Sequence, residues 1–297
     1  MTYFFDPTSV YGPDTAIIRG NLTIEDIQRL IDDQISSVAL NGAFGWTSKG
    51  LDLLPRLLHL KKLDILAYEK TNIDCIVAIP SLEELYLGAH THGGLSFQKL
   101  TSLKTFRFHD GQLRLSFSNF SAAGSLITVA GNPSAAHIKG LAEVSNLKNL
   151  ELSSKNLEDL SWLKNFKLKF LDLSGCNKLS KLDGIDTQKD LDFLMFGDSR
   201  RILNLNELST CTSLKFLMFD ECGKLDSLTP LAGLHQLNLV SFLGDTNILD
   251  GRISAIDECK NLQQVRFVDR KHYDKKKAAY SFSQDYFHAG WKKYFAT

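Results

Sequence analysis

Apolar residues recur along this chain on one frame, apolar-x-x-apolar-x-apolar. The frame is read at Leu147/Leu150/Leu152, Leu168/Leu171/Leu173, Leu191/Leu194/Phe196, Leu214/Leu217/Phe219, Leu237/Val240/Phe242 and Leu262/Val265/Phe267, with starts 21 to 25 residues apart. Upstream it continues at Leu126/Val129, Leu103/Phe106/Phe108, Leu82/Leu85/Leu87 and Leu63/Leu66/Tyr68. Ile35/Val38/Leu40 gives a first copy, followed by a longer insertion. About eleven units therefore cover residues 35–270. The last two apolar positions of each frame alternate with a residue of the other face, which predicts a short half-buried strand. Such a strand cannot bury its inner face alone, so neighbours must stack in parallel around one continuous core. The second halves, such as Leu157/Leu160/Leu163, Leu179/Leu182/Ile185 and Ile73/Ile76/Ile79, are spaced by threes. That period predicts 3₁₀ or irregular returns rather than full helices.

The frame resembles the leucine-rich repeat, L-x-x-L-x-L-x-x-N/C-x-L, in the short-return subtype of bacterial internalins and phosphatase regulators. The resemblance implies a curved right-handed solenoid of the α/β class, with one parallel sheet on its concave face and 3₁₀ returns on its convex face. The asparagine-or-cysteine slot is filled as the pattern requires at Cys176 and Cys222. Elsewhere it is expected to hold Thr71, His90, Gly111, Lys155, Ser199 or Asp245, and Gly131 stands where the inner leucine of the Leu126 unit belongs. Thr23-Ile24-Glu25-Asp26 reads as a capping box that starts an amphipathic helix running through Gln34. We therefore expect one domain over residues 1–297. Its parts are an N-terminal cap over 1–34, the repeats over 35–270 and a C-terminal cap over 271–297. Tyr273, Tyr280, Phe282, Tyr286, Phe287, Trp291, Tyr294 and Phe295 give that last cap its aromatic surface.

Candidate chemistry changes this picture little. His90-Thr91-His92 is the one close histidine pair, in an expected turn beside Gly93-Gly94, and lacks a carboxylate or cysteine at ligand spacing. His109 and His235 are isolated, and there is no nucleophile elbow, P-loop, GxGxxG or CxxC. No enzyme, metal or cofactor is expected. The 34 basic and 34 acidic residues balance, so nothing draws the whole chain to nucleic acid or anionic lipid. Lys275-Lys276-Lys277, with Arg270, Lys271, Lys292 and Lys293, read as the solvated face of a cap rather than a nucleic-acid site. There is no membrane-length apolar run, the first residues lack a signal-peptide pattern, and the five cysteines are unpaired in spacing. A cytoplasmic chain, monomeric on its own, is the expectation.

The informative residues lie between the repeat leucines. Phe170, Phe193, Met195, Phe216 and Met218 occupy consecutive outward positions and should form an exposed apolar patch. Asp172 and Ser241 share the outward row of the two methionines, and Asp198, Asp220, Glu221 and Asp269 would rim the patch, with Arg266 at its far side. Glu83, Glu84, Tyr86, Arg107, His109, Asp110 and Glu151 make the upstream outward face more polar. The patch reads either as a stabilising cross-strand ladder or as a partner-binding hot spot. By resemblance, the chain is a non-catalytic module of the bacterial cytoplasm that binds one protein partner on its concave face. An immunity protein that covers a cognate toxin is the sharper version, and a regulatory or targeting subunit of a phosphatase or other enzyme is the alternative.

Overall fold

A computed structural model describes residues 3–109 and 115–280. Contacts divide the chain into two compact units, Met1–Asn146 and Leu147–Thr297. In the second unit the strands are Asn149–Leu152, Phe170–Ser174, Phe193–Gly197, Phe216–Asp220, Leu239–Leu243 and Gln264–Phe267, each paired in parallel with the next. The repeat frame sets their register. Leu171 pairs with Leu194, Leu194 with Leu217 and Leu217 with Val240, and Leu173 lines up with Phe196, Phe219 and Phe242 in the same way. These side chains are all buried, and the inner rings of Phe196 and Phe219 stack at 5.4 Å. Returns over Ser161–Asn165, Ile185–Thr187, Asn206–Thr210, Thr229–Leu231 and Ile253–Glu258 are 3₁₀ turns, as spacing by threes predicts.

The first unit repeats this design with strands Ala16–Ile18, Ser37–Asn41, Lys62–Leu66, Glu84–Leu87, Thr105–Phe108 and Thr128–Gly131 in parallel. Two parts of it differ from the sequence expectation. Leu63 pairs with Leu85 and Ile65 with Leu87, so the frame of that unit is Leu60/Leu63/Ile65, while Tyr68 is exposed. No long insertion is then needed after Ile35. At the N-terminal end, the helix Ile24–Asp32 forms with Thr23 as its cap and Asp26 closing the capping box, and it stops two residues short of Gln34. The sheet edge itself is closed by strands: Ala16–Ile18 extends the parallel ladder, and Tyr3–Phe4 pairs antiparallel with it. Tyr3–Phe4 is only 2 residues long, and so short an edge strand offers little template for further pairing.

The slot after each strand also departs from expectation by one residue in several repeats. Thr91, Ser154 and Thr246 are buried there, whereas His90, Lys155 and Asp245 face out. Cys176 Sγ donates to the Leu152 carbonyl at 3.6 Å and Cys222 Sγ to the Phe196 carbonyl at 3.3 Å. Ser199 Oγ donates to the Leu173 carbonyl at 3.3 Å and Thr91 Oγ1 to the Gly88 carbonyl at 2.6 Å. Small hydroxyls and thiols thus do the work of an asparagine ladder. Thr91–Ser96 is also not a turn. It is a strand of a second small sheet, between Thr71–Asn72 and Leu115–Ser118. Gly131 pairs with Phe108, and a Cβ there would sit 2.5 Å from the Phe108 carbonyl oxygen and 2.9 Å from its ring. The missing leucine is replaced by the neighbouring phenyl group.

Of the expected C-terminal cap, Tyr273 and Tyr280 are buried against the last repeat, with the Tyr273 ring 5.9 Å from Phe267. The Tyr273 hydroxyl accepts from Ile248 N at 3.0 Å. Phe282, Tyr286, Phe287, Trp291, Tyr294, Phe295, Lys292 and Lys293 lie outside the described residues, as do Asp110 and Gly111. Leu171→Ala removes methyl groups from a fully buried row and should cost about 2–5 kcal/mol in urea unfolding. An unchanged midpoint would refute this register.

Candidate partner-binding face

Alternation along each strand sends the residues between the repeat leucines to the face opposite the core. In the second unit this outer face carries two registered rows. The first is Phe170, Phe193, Phe216, Leu239 and Gln264, and the second is Asp172, Met195, Met218, Ser241 and Arg266. The two rows meet as expected, but their exposure does not follow the expectation. Phe170 is 0% exposed, Phe193 1%, Met218 5% and Leu239 0%, in one apolar cluster against which Met195 and Phe216 pack half-buried. The Phe170 and Phe193 rings lie 4.5 Å apart with planes 17° from parallel, and Phe216 follows 6.0 Å from Phe193. A stacked ladder is therefore present, and the freely exposed patch is not.

Polar members of the face share this burial. Asp172 is 3% exposed, and its Oδ1 accepts from Ser174 N at 2.9 Å and Ser174 Oγ at 2.6 Å. Burial outweighs those bonds and pushes its carboxyl up to about 6. Ser241 is also buried, and its hydroxyl has no hydrogen-bond partner among the described residues. The rim is different. Asp198 and Asp220 are exposed at the ends of their strands, Glu221 is half-buried, and Asp198 N donates to the Asp220 carbonyl at 2.9 Å. Asp198 and Glu221 both hold left-handed backbone, at φ 51° and 53°. Arg200 reaches Asp245 at 3.1 Å and Glu221 at 3.6 Å. Arg266 is half-buried at the far side.

The outer face of the first unit is more polar, as the sequence implies, with Lys62, Asp64, Glu84, Tyr86 and Arg107 all half-buried. Asp64 escaped the sequence reading because the frame there was set three residues late. Burial pushes its carboxyl up to about 6 despite Lys62 at 3.9 Å. Lys62 Nζ donates to the Tyr11 carbonyl at 2.9 Å, and Asn41 donates to the Tyr11 hydroxyl at 2.7 Å. Among the described residues no group of three or more His, Cys, Asp or Glu side chains could hold a metal ion. The basic C-terminal residues are committed locally. Lys275 pairs with Asp257, and Arg270 donates to the carbonyls of Asp245 and Thr246 at 3.1 and 3.0 Å.

Solved structures similar to this chain include internalins of Listeria monocytogenes. Internalin InlF superposes with a TM-score of 0.58 at 19% identity, over 87% of this chain and 83% of its own. The chain has the leucine-rich-repeat fold of the internalins. Internalin C2 is similar with a TM-score of 0.47, 22% identity and coverage of 58% and 74%. The functional domain of InlJ gives 0.49, 16% identity and coverage of 89% and 65%. No protein-family model matches the sequence, and no curated protein does. Within the described residues of this repeat protein, no helix is long and apolar enough to cross a membrane.

The buried carboxylate of this leucine-rich-repeat face makes stability depend on pH. Between the ordinary value of 3.8 and about 6, the folded chain keeps a proton on Asp172 that the unfolded chain releases. Stability therefore falls as pH rises through that window, and the loss is complete above it. Asp172→Asn keeps an acceptor for Ser174 without the charge. It should raise the unfolding free energy by about 1–3 kcal/mol at about pH 7.5 and give no advantage below about pH 4, in urea melts across that range.

Proposed function

We propose that this chain is a non-catalytic protein-binding module that takes one protein partner on the outer face of its parallel sheet. The observation that carries the reading is the combination on the second unit. A ladder of large apolar side chains leaves Phe216 and Met195 half-buried, on the unit that also carries the carboxylates of Asp198, Asp220, Glu221 and Asp245. Central aromatic anchors with a charged rim are the usual anatomy of a protein interface. Phe170, Asp172, Phe193, Met218, Ser241 and Arg266 complete the site, the first five as its buried floor. The acidic rim selects a partner with a basic surface.

A sharper version is an immunity protein that covers the basic cleft of a cognate nucleic-acid- or nucleotide-cleaving toxin. The chain works as a monomer before it meets that partner. All five cysteines are free thiols, with Cys176, Cys211, Cys222 and Cys259 buried, which suits a reducing cytoplasm. Affinity capture from the native host with the tagged chain identifies the partner. A phosphatase or other housekeeping enzyme in place of a toxin would transfer the reading to a regulatory subunit. Asp220→Lys reverses an exposed rim charge and should leave the melting temperature unchanged. It should slow association with the captured partner about tenfold at low salt, with a smaller change in dissociation. Unaltered association and salt dependence would remove the rim from the site.

A further inference from the structure

On the outer face of the first unit, Asp64 is a carboxyl that its surroundings leave poorly served. It stands in an outward row between Ala39 and Tyr86, and Arg107 follows Tyr86 on the next strand. Its side chain is 14% exposed, and among the described residues no N–H or O–H donates to its carboxyl. Lys62 Nζ comes only to 3.9 Å, and that ammonium instead donates to the Tyr11 carbonyl at 2.9 Å. Glu84 adds a second negative charge nearby, and Arg107 acts from one strand beyond Tyr86. A largely buried carboxylate without hydrogen-bond donors is costly, and a cation that supplies them relieves that cost.

Three tyrosines share this locality. Burial raises the Tyr11 hydroxyl, the charges of Asp64, Tyr86 and Tyr68 raise it further, and its bond from Asn41 at 2.7 Å pulls the other way. Tyr86 neighbours Asp64 in the row and is raised by burial and then by that carboxyl. Tyr68 is 59% exposed, and its ring rests on Gly42, where a Cβ would stand 2.7 Å from the ring Cγ. The hydroxyls of Tyr68 and Tyr86 form no hydrogen bond among the described residues. Aromatic faces attract a cation, while carboxylate and hydroxyl oxygens accept its N–H groups. A guanidinium fits this set better than an ammonium. It is planar, stacks on aromatic rings, sheds water more readily and offers five donors to several acceptors. An ammonium would only duplicate Lys62.

We propose that Asp64, with Tyr11, Tyr68 and Tyr86, forms a binding site on the first unit for the guanidinium of an arginine side chain presented by a protein partner. The site is separate from the aromatic ladder of the second unit, and it does not rest on the binding reading of that ladder.

The test is carboxyl-carbon NMR of the full chain, labelled at its aspartates and titrated with Nα-acetyl-arginine-amide. At about pH 7.5 the Asp64 resonance should move saturably, and the citrulline analogue, similar in shape but neutral, should not move it. Burial puts the Asp64 carboxyl at about 6, and the cation binds its ionised form. Affinity is therefore complete above that value and falls as pH drops through it. The dissociation constant should rise about tenfold between about pH 7.5 and about pH 5, where carboxylates of ordinary value stay largely charged. Asp64→Asn, read through the amide resonance of Tyr86, should weaken binding by about tenfold or more. A shift that never saturates, equal binding at both pH values, or an equal response to the citrulline analogue would overturn the site. A lysine analogue that binds as tightly would overturn the choice of guanidinium. The pH series needs no variant, so the outcome does not depend on how Asp64→Asn folds. A failed titration leaves partner capture by the second unit untouched, and failed capture leaves the titration standing, so the two readings separate.

Discussion

A strand of four or five residues has only two side chains to bury, and it can bury them only against the strands beside it. Every other feature of this chain follows from that constraint. The inward rows through Leu171 and Leu173 must stay in register from repeat to repeat, because a slip of one residue would turn Asp172 inward and the leucines out. A spacing of 21 to 25 residues leaves room after the strand for a 3₁₀ turn whose own leucines and isoleucines close the core from behind. Repeats that satisfy this rule tolerate wide variation elsewhere, and the outer rows are where that variation lies.

Stacking creates a second requirement at the turn after each strand, where carbonyl groups face inward and water cannot reach them. Cysteine serves there only while it keeps its proton. Burial pushes the thiols of Cys176 and Cys222 up to about 11, so both remain S–H donors at neutral pH. The same shift makes them poor nucleophiles, which ties their role to the backbone rather than to redox chemistry. Serine and threonine do equivalent work at Ser199 and Thr91. A short donor from any of three residue types suffices, and that is why an asparagine motif alone undercounts the ladder.

The strand positions of the second unit were legible because apolar period and burial coincide there. Leu150, Leu171, Leu194, Leu217, Val240 and Val265 sit where the frame puts them. The frame failed at Leu63 because Leu60, Leu63 and Leu66 are spaced by threes, and spacing alone cannot choose which two face inward. Neighbouring register decided it, and that is a tertiary fact. The strands Tyr3–Phe4 and Ala16–Ile18 were missed because two- and three-residue strands carry no period. The outward ladder was located correctly residue by residue, while its burial was not. Burial on that face depends on what lies over it, and the pattern of a strand speaks only for the side that meets the core.

That outer face is also where local rules are broken. A row selected for stability alone would not bury a carboxyl whose charged form is penalised by its surroundings, nor a hydroxyl left without a partner. Asp172 and Ser241 belong to the same two rows as the best-stacked aromatics of the chain. Polar groups set among apolar side chains lower the gain from burying them, so this face is less firmly closed than the core behind the sheet. The core rows lack such groups: Leu171, Leu194, Leu217 and Val240 form an all-apolar line. One side of the sheet is thus built to stay closed, while the other combines strong apolar contacts with buried polar groups. That balance suits a surface that meets a partner better than one that serves only as a second core.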